Sequence, residues 1–280
     1  MGGNAIHLSR PVSFEEAELT IQWLKRHILP YVNFTEDEMA ILGSYGKKPD
    51  GEFYNDIDIA VQISHLELFP NATQRLAGWL QSWGYSVKLN PGFGICSFGC
   101  PIGGKSENGY VQIDFMLTYN LSWSTFIYHS PDFRKGESKY KGLYRNILLM
   151  ALITEPEKEI IKITPEGGIE EIEVNILRYP RGVWRVRKNF MGKKGKLVKN
   201  GKNVESSEMF VTNEPSEILD MTVGNEFIPS DIDTFEKLWD IVMSPNFKWI
   251  NKREGIINRF VECLEEQKLF IPKEVEEWKK

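Results

Sequence analysis

The fold is decided by the stretch Asn55-Asp56-Ile57-Asp58-Ile59-Ala60-Val61. Side chains alternate between the two faces of a β-strand. The stretch therefore predicts a strand that buries its apolar residues and presents Asp56 and Asp58 together on the opposite face. Carboxylates this close repel each other, and each raises the pKa of the other unless a cation neutralises them. A hard divalent cation such as Mg²⁺, which prefers oxygen ligands, is the natural occupant of that face.

Two further segments extend this pattern. Gly43-Ser44 precedes the acidic strand, with Ser44 twelve residues before Asp56. Glycine allows the backbone to approach a phosphate closely, and the N–H and hydroxyl that follow can donate hydrogen bonds to it. The later segment 110–117 alternates in the same way as the acidic strand and turns Asp114 away from the core. We therefore predict that three carboxylates converge beside a phosphate-binding turn.

The ordered set of a Gly-Ser turn, an Asp-x-Asp strand and a third Asp resembles the DNA polymerase β-like nucleotidyltransferase superfamily over roughly residues 36–150. The resemblance implies that Asp56, Asp58 and Asp114 bind two Mg²⁺ ions, with Mn²⁺ as a substitute, and that Asp114 completes the metal nearest the acceptor. It implies that Gly43 and Ser44 hold the β- and γ-phosphates of a nucleoside triphosphate such as ATP. Lys47 or Lys48 would assist them. Segments 43–48 and 138–146 also resemble nucleotidyltransferases of large phages and viruses.

A helix is predicted from Ser138 to about Leu152. On such a helix Ser138, Lys141 and Arg145 share one side, at positions i, i+3 and i+7. This polar stripe is either a solvated face or a binding surface for a triphosphate, and the family resemblance favours Lys141 and Arg145 as phosphate ligands. Tyr144, on an adjacent stripe, would pack on a base or close the core, and core packing is favoured.

A second Asp-x-Asp pattern, at Asp231 and Asp233, is predicted to be structural. It has no Gly-Ser turn before it, and the apolar residues that follow recur at helix spacing. Asp233 or Thr234 is the expected N-cap of that helix, since a short polar side chain there accepts a bond from an otherwise unpaired backbone N–H.

The order of predicted elements is that of an α+β protein. A capping box of Ser13 and Glu16 begins the first helix, a second helix covers 71–83, and strands surround the acidic segments. We expect a nucleotidyltransferase core, a small mixed β-sheet with flanking helices, in residues 1–155. A mixed-to-helical C-terminal domain, with basic β-hairpin strands and terminal helices, would occupy residues 156–280.

Charge is distributed unevenly along the chain. The whole protein carries a net charge of −5, whereas residues 178–202 contain ten Lys and Arg and no Asp or Glu, so the remainder carries −5 − 10 = −15. Cations neutralise phosphates, and the aromatic residues interleaved here could stack unpaired bases. The predicted nucleic-acid contacts are Arg185, Arg187, Lys188, Lys193, Lys194 and Lys196. The alternative interpretation is a solvated basic loop, or one that offsets the acidic body.

The remaining expectations concern class and location. No apolar run is long enough to cross a membrane, and three cysteines without partners at zinc spacing indicate reduced thiols in the cytoplasm, or in a host cytoplasm for a phage protein. The expected activity is template-independent transfer of a nucleoside monophosphate to a nucleic-acid 3′-hydroxyl, with release of pyrophosphate. The alternatives are nucleotidylation of a small molecule or protein, oligonucleotide synthesis, and a non-catalytic nucleic-acid-binding module.

Overall fold

A computed structural model of the protein describes residues 5–30, 32, 34–64, 68–163, 169–179, 181–189 and 204–279. The chain divides into two compact units, residues 1–139 and 140–280. The boundary lies earlier than the one expected after residue 155. The helix that was expected to end the first unit is therefore part of the second.

The first unit is built on a five-stranded sheet with the strand order β1-β2-β5-β4-β3. Strands β2 and β5 are parallel, and the other neighbours are antiparallel, so the predicted small mixed sheet of an α+β fold is confirmed. The elements are α1 Phe14–His27, β1 Met39–Ile41, β2 Asp56–Gln62, α2 Phe69–Ser82, β3 Val87–Asn90, β4 Ile95–Pro101, β5 Tyr110–Thr118 and α3 Leu121–Ile127.

Alternation along β2 sets the polar face of the sheet. Ile57, Ile59 and Val61 are at most 1% exposed, whereas Asp56 and Asp58 on the other face are half-buried. Strand β5 follows the same rule, and the predicted inward residues of both strands are confirmed. Helix spacing over residues 71–83 predicts that Trp83 is buried. This prediction is wrong, because Trp83 is the C-cap of α2 and 42% of it is exposed.

The N-terminal segment is tied to the sheet before α1 begins. Ser9 forms a parallel bridge with Tyr110 at the start of β5, and Val12 forms an antiparallel bridge with Tyr54, two residues before β2. The predicted capping box then begins α1, since Glu16 N donates to Ser13 Oγ and Ser13 N donates to Glu16 Oε2. Residues 9–12 thus lie against the start of β5 and the segment that leads into β2.

The second unit combines a four-stranded antiparallel sheet with helices. Its strand order is β6-β7-β8-β9, and the C-terminal region is helical, as predicted. The elements are α4 Gly142–Thr154, β6 Glu159–Ile163, β7 Ile169–Arg178, β8 Gly182–Asn189, β9 Val204–Thr212, α5 Pro215–Thr222, α6 Phe235–Met243, α7 Arg253–Glu266 and α8 Lys273–Trp278. Within the described ranges, no helix has the length and apolar character needed to cross a membrane.

Helix α4 begins at Gly142, so the prediction of a helix from Ser138 is wrong at its N-terminus. Tyr140, two residues before Gly142, is held by ring packing and by a hydrogen bond. Its ring lies 4.9 Å from that of Phe235, and its hydroxyl donates to Glu274 Oε2 at 2.5 Å. Ser138 and Lys141 therefore do not share a helical stripe with Arg145.

The second Asp-x-Asp pattern lies on a short 3-10 turn, Pro229–Ile232, rather than on a strand. The carboxylate of Asp231 accepts a bond from Ile228 N, and Thr234 caps α6 by accepting from Lys237 N. The predicted structural role of this segment as a helix start is confirmed.

Candidate metal and nucleotide site

Three carboxylates converge on the polar face of the first sheet. Asp56, Asp58 and Asp114 each offer an oxygen, and these oxygens lie within 4.8 Å of one another. The parallel register of β2 and β5 places Asp58 opposite Asp114, so both side chains project from the same face. In the part of the chain that the structure describes, this is the one group of three or more His, Cys, Asp or Glu residues close enough to share a metal ion.

The pKa of each of the three carboxylates is raised above its usual value. Burial, followed by repulsion from Asp56 and Asp114, raises the pKa of Asp58 to about 7. Burial and the charge of Asp114 raise the pKa of Asp56, and nearby Lys48 opposes this. Burial also raises the pKa of Asp114, while hydrogen bonds from Ser97 and Gln112 lower it. Full ionisation of this cluster at neutral pH therefore calls for a compensating positive charge.

The donor set fits a hard divalent cation. All three side chains present oxygen, which is the ligand atom that Mg²⁺ prefers, and Mg²⁺ is usually shared between one or two carboxylates and the phosphates of a substrate. A bound cation would also remove the mutual repulsion that raises the pKa of Asp58. Asp56, Asp58 and Asp114 are the residues that would hold it.

The Gly-Ser turn lies directly against the acidic strand. Gly43 has a φ of 67°, and a Cβ added there would lie 3.0 Å from Asp58 Oδ2. The neighbouring Leu42 N donates to Asp58 O at 2.9 Å, while Gly43 N donates to Tyr128 O at 3.3 Å. Glycine is required here by conformation and by space, because the turn could not otherwise approach Asp58 so closely. Gly43 is thus brought to the carboxylates, and phosphate binding by Gly43 and Ser44 stays a prediction.

The two predicted helper lysines differ in their contacts. Lys47 Nζ donates to Ser130 O at 2.7 Å. Lys48 Nζ donates to Phe53 O at 2.5 Å and lies 5.0 Å from the centre of the Tyr54 ring. Since Lys48 also lowers the pKa of Asp56, its charge already acts on the acidic site.

Two of the predicted nucleotide contacts in the second unit are buried in that unit. Arg145 is 0% exposed, and its guanidinium donates to Ile232 O at 2.9 Å and to Asn146 Oδ1 at 2.8 Å. Tyr144 is 4% exposed and its ring lies 5.0 Å from that of Phe270. The position of Tyr144 agrees with the predicted core packing. Arg145 lies neither on a solvated face nor on an open phosphate-binding surface, because its guanidinium is enclosed in the second unit. Lys141 is exposed at the N-terminus of α4.

The predicted nucleic-acid contacts fall into two groups. Lys193, Lys194 and Lys196 lie outside the described residues. Arg185, Arg187 and Lys188 lie on β8, where Arg185 is surrounded by carboxylates: its side chain is 15% exposed and forms ion pairs with glutamates at 3.2–3.9 Å. The partners of Arg185 are Glu157, Glu159 and Glu173, and the partner of Arg187 is Glu171, at 3.7 Å. The arginine contacts agree with the alternative in which basic residues offset acidic ones.

Sequence reasoning missed one buried residue of the site, Gln112. It lies two residues before Asp114 on β5, is 1% exposed, and its Nε2 lies 2.9 Å from Asp114 Oδ1. A polar residue at position i−2 in an otherwise apolar strand shares the face of the carboxylate, and this was the available signal.

Of the comparisons with known proteins, the one with solved structures finds matches. No protein-family model and no curated protein matches the chain. Cid1 poly(U) polymerase with MgGTP bound is similar at a TM-score of 0.32 and 14% identity, over 55% of this chain and 59% of that one. A cytoplasmic RNA terminal U-transferase is similar at 0.30 and 12% identity, over 54% and 56%. Cid1 with its short product ApU gives 0.29 and 12%, over 54% and 56%. The chain thus covers less than two thirds of each of these structures.

The stability of the metal-free protein is expected to fall as pH rises from about 4 to about 7. The pKa of Asp58 is raised from 3.8 to about 7 on folding, so its favourable contribution is complete below the unfolded pKa and is lost as pH passes the folded one. The shift corresponds to at most about 4 kcal/mol. Urea unfolding in chelator at several pH values measures it. The free-energy difference between wild type and Asp58→Asn should change across this window, and parallel pH profiles would contradict the prediction.

Gly43→Ala is expected to damage the site as well as the fold. A left-handed conformation costs a non-glycine residue about 1–2 kcal/mol, and the new methyl group would also press on Asp58 Oδ2. Gly51→Ala is the matched control, because Gly51 has a φ of 86° and no atom within 4 Å of an added Cβ. Both variants should lose similar stability in urea, whereas only Gly43→Ala should weaken Mn²⁺ binding, by about tenfold. Equal Mn²⁺ affinities for the two variants would count against a turn that supports the acidic site.

Proposed function

We propose that the protein is a metal-dependent nucleotidyltransferase that moves a nucleoside monophosphate from a triphosphate to an acceptor hydroxyl and releases pyrophosphate. The observation that carries the proposal is the convergence of three carboxylates from parallel strands, within 4.8 Å of one another, beside a glycine turn that approaches one of them closely. This combination provides for a divalent cation and a triphosphate at the same place.

Each residue of the site has an assigned role. Asp56 and Asp58 would hold two Mg²⁺ ions, or Mn²⁺ in their place, and Asp114 would complete the ligand set on the acceptor side and help to remove the hydroxyl proton. When bound, the metal supplies stabilisation of the charge on the transferring phosphoryl group and lowers the pKa of the attacking hydroxyl. Because Gly43 N already donates to Tyr128 O, the phosphate contacts fall to the N–H and hydroxyl of Ser44.

Basic side chains would offset the charge of the leaving pyrophosphate. Lys48 is assigned this role first, since its charge already lowers the pKa of Asp56. Lys47, from the same turn, is retained as a further candidate, and the role of Lys141 stays a prediction from the sequence. The narrower resemblance to phage and viral nucleotidyltransferases stays a prediction from the sequence.

The proposed acceptor is the 3′-hydroxyl of a nucleic acid. Its support is the basic segment 178–202, which contains no acidic residue. Since Arg185 and Arg187 have carboxylate partners, we assign nucleic-acid contact mainly to the lysines of segment 190–203. We also propose a cytoplasmic location. The free thiols of Cys96, Cys100 and Cys263 are compatible with a reducing compartment.

The experiment that tests the function presents the protein with each labelled nucleoside triphosphate, Mg²⁺ and a panel of acceptors. The panel contains single-stranded RNA, single-stranded DNA and no added acceptor. Extension of an oligonucleotide by single residues, with stoichiometric pyrophosphate, is the expected result. Label on the protein itself would identify a protein as the acceptor. Short oligonucleotides made without an added acceptor would indicate oligonucleotide synthesis. Either result would contradict a nucleic-acid acceptor. If the folded, metal-loaded protein transferred no nucleotide, the result would favour the alternative of a non-catalytic nucleic-acid-binding module.

Neutralising Lys193, Lys194 and Lys196 together is expected to weaken binding to oligonucleotides of different sequences by similar factors. An ammonium group contacts phosphates as a point charge, and each lost contact should flatten the salt dependence by about 0.7 on a single strand. Fluorescence anisotropy across a salt series measures this. Arg185→Gln is the control, since its ion pairs within the second unit should affect stability rather than binding. An unchanged salt slope in the lysine variant would favour a small-molecule or protein acceptor.

A further inference from the structure

The amide of Gln112 bridges the third carboxylate and the start of the chain. Its Nε2 lies 2.9 Å from Asp114 Oδ1 and 3.0 Å from Asp114 Oδ2. Its Oε1 accepts hydrogen bonds from Ala5 N at 2.8 Å and from Ile6 N at 3.2 Å. A fully buried side chain therefore uses both ends of its amide, one on a residue of the acidic site and the other on the backbone of the N-terminal segment.

Only one orientation of this amide satisfies its neighbours. A carboxylate accepts hydrogen bonds and a backbone N–H donates them, so the oxygen of Gln112 must face Ala5 and Ile6 and its nitrogen must face Asp114. The nitrogen lies against both carboxylate oxygens, which restrains the position of the Asp114 carboxylate. Each oxygen retains acceptor capacity for a cation on the side shared with Asp58.

The N-terminal segment is itself well anchored. Arg10 N donates to Tyr110 O at 2.8 Å, and Val12 and Tyr54 exchange two backbone hydrogen bonds of 2.9 Å. Ile6 is 4% exposed. The donors that hold the Gln112 amide are thus fixed relative to the strand that carries Asp114.

We propose that Gln112 is a positioning residue that orients Asp114 for metal binding, and that the backbone N–H groups of Ala5 and Ile6 complete the site by holding the Gln112 amide. The inference rests on the proposed function only in that the cation is the one assigned to the transfer site. Partners that orient metal ligands in this way are typically worth 10- to 100-fold in metal affinity.

The test is Mn²⁺ binding to the full chain without nucleotide, measured by electron paramagnetic resonance. Gln112→Met keeps the approximate side-chain volume and removes both ends of the bridge, and we expect a loss of about 10- to 100-fold in Mn²⁺ affinity. The matched control is Gln62→Met, the same change at the exposed end of β2, which should leave the affinity within about twofold of wild type.

A double-mutant cycle separates positioning from a general loss of structure. If Gln112 acts through Asp114, Gln112→Met should have almost no further effect on Mn²⁺ affinity in an Asp114→Asn background. Ala5→Pro gives a second approach should Gln112→Met fold poorly, because it removes a single N–H donor to the amide. Its expected effect is about threefold to tenfold.

Three results would overturn the inference. They are Mn²⁺ affinity close to wild type in every variant that folds, an undiminished effect of Gln112→Met in the Asp114→Asn background, and no Mn²⁺ binding by the wild type at millimolar concentration. Gln112-dependent Mn²⁺ binding in a protein that transfers no nucleotide would instead support the positioning role and contradict the proposed function.

Discussion

Asp58→Asn is expected to reduce nucleotide transfer by about 10³-fold or more while increasing the stability of the metal-free protein above pH 7. The substitution removes one charge from the set that would hold the cation, and metal stabilisation of a transferring phosphoryl group is worth several kcal/mol. It also removes a carboxylate whose ionisation is opposed by burial and by two neighbouring carboxylates. Transfer assays and thermal unfolding in chelator measure the two effects.

Asp233→Asn is the control for this prediction, since it makes the same change in the second Asp-x-Asp pattern. Asp233 forms an ion pair with Lys237 at 2.9 Å, one turn further along the chain. The side chain of Lys237 is 51% exposed and that of Asp233 is 21% exposed. A partly exposed pair of this kind contributes modest stability, and transfer should stay close to wild type. Retained turnover in Asp58→Asn, or an equal loss in both variants, would contradict the assigned mechanism.

Removal of divalent cations is expected to abolish transfer and to weaken triphosphate binding by about 100-fold or more. Without a cation, the triphosphate would approach three carboxylates of the same sign. One pair of unit charges 4 Å apart repels by about 4 kcal/mol at an effective dielectric constant of 20, whereas a 100-fold loss requires about 2.7 kcal/mol. Calorimetric titration of a triphosphate in Mg²⁺ and in excess chelator measures the difference.

Recovery identifies the cause of that loss. Mn²⁺ added beyond the chelator should restore both binding and transfer, because it also accepts oxygen ligands. Asp58→Asn, titrated in parallel, should show a smaller difference between Mg²⁺ and chelator than wild type. Equal triphosphate affinity of the wild type with and without divalent cations would contradict the assignment of the acidic cluster to the nucleotide site.

Local periodicity accounts for the parts of the site that the sequence could predict. Asp56, Asp58 and Asp114 could be placed on the open face of the sheet because the apolar residues beside them alternate with period two, and this pattern needs no knowledge of distant residues. The turn at Gly43 could also be predicted from local sequence, because it depends on one residue type and on its spacing from the strand.

Contacts with distant residues account for what the sequence could not predict. Arg145 was expected on an exposed stripe, but its partner Ile232 follows 87 residues later and encloses its guanidinium. Tyr140, two residues before the start of α4, donates a hydrogen bond to Glu274, 134 residues away. Gln112 finds its partners at Ala5 and Ile6, more than one hundred residues earlier. Helix spacing and residue type do not contain these pairings.

The parallel pairing of β2 and β5 also determines when the acidic cluster can form during synthesis. Asp58 and Asp114 are neighbours in the sheet but 56 positions apart in the chain, since parallel strands require a long connection. Here that connection contains α2, β3 and β4. A nascent chain that ends before β5 carries two of the three carboxylates and lacks the strand that brings the third. The ribosome must therefore release residues up to about Thr118 before the growing protein can bring the three carboxylates together.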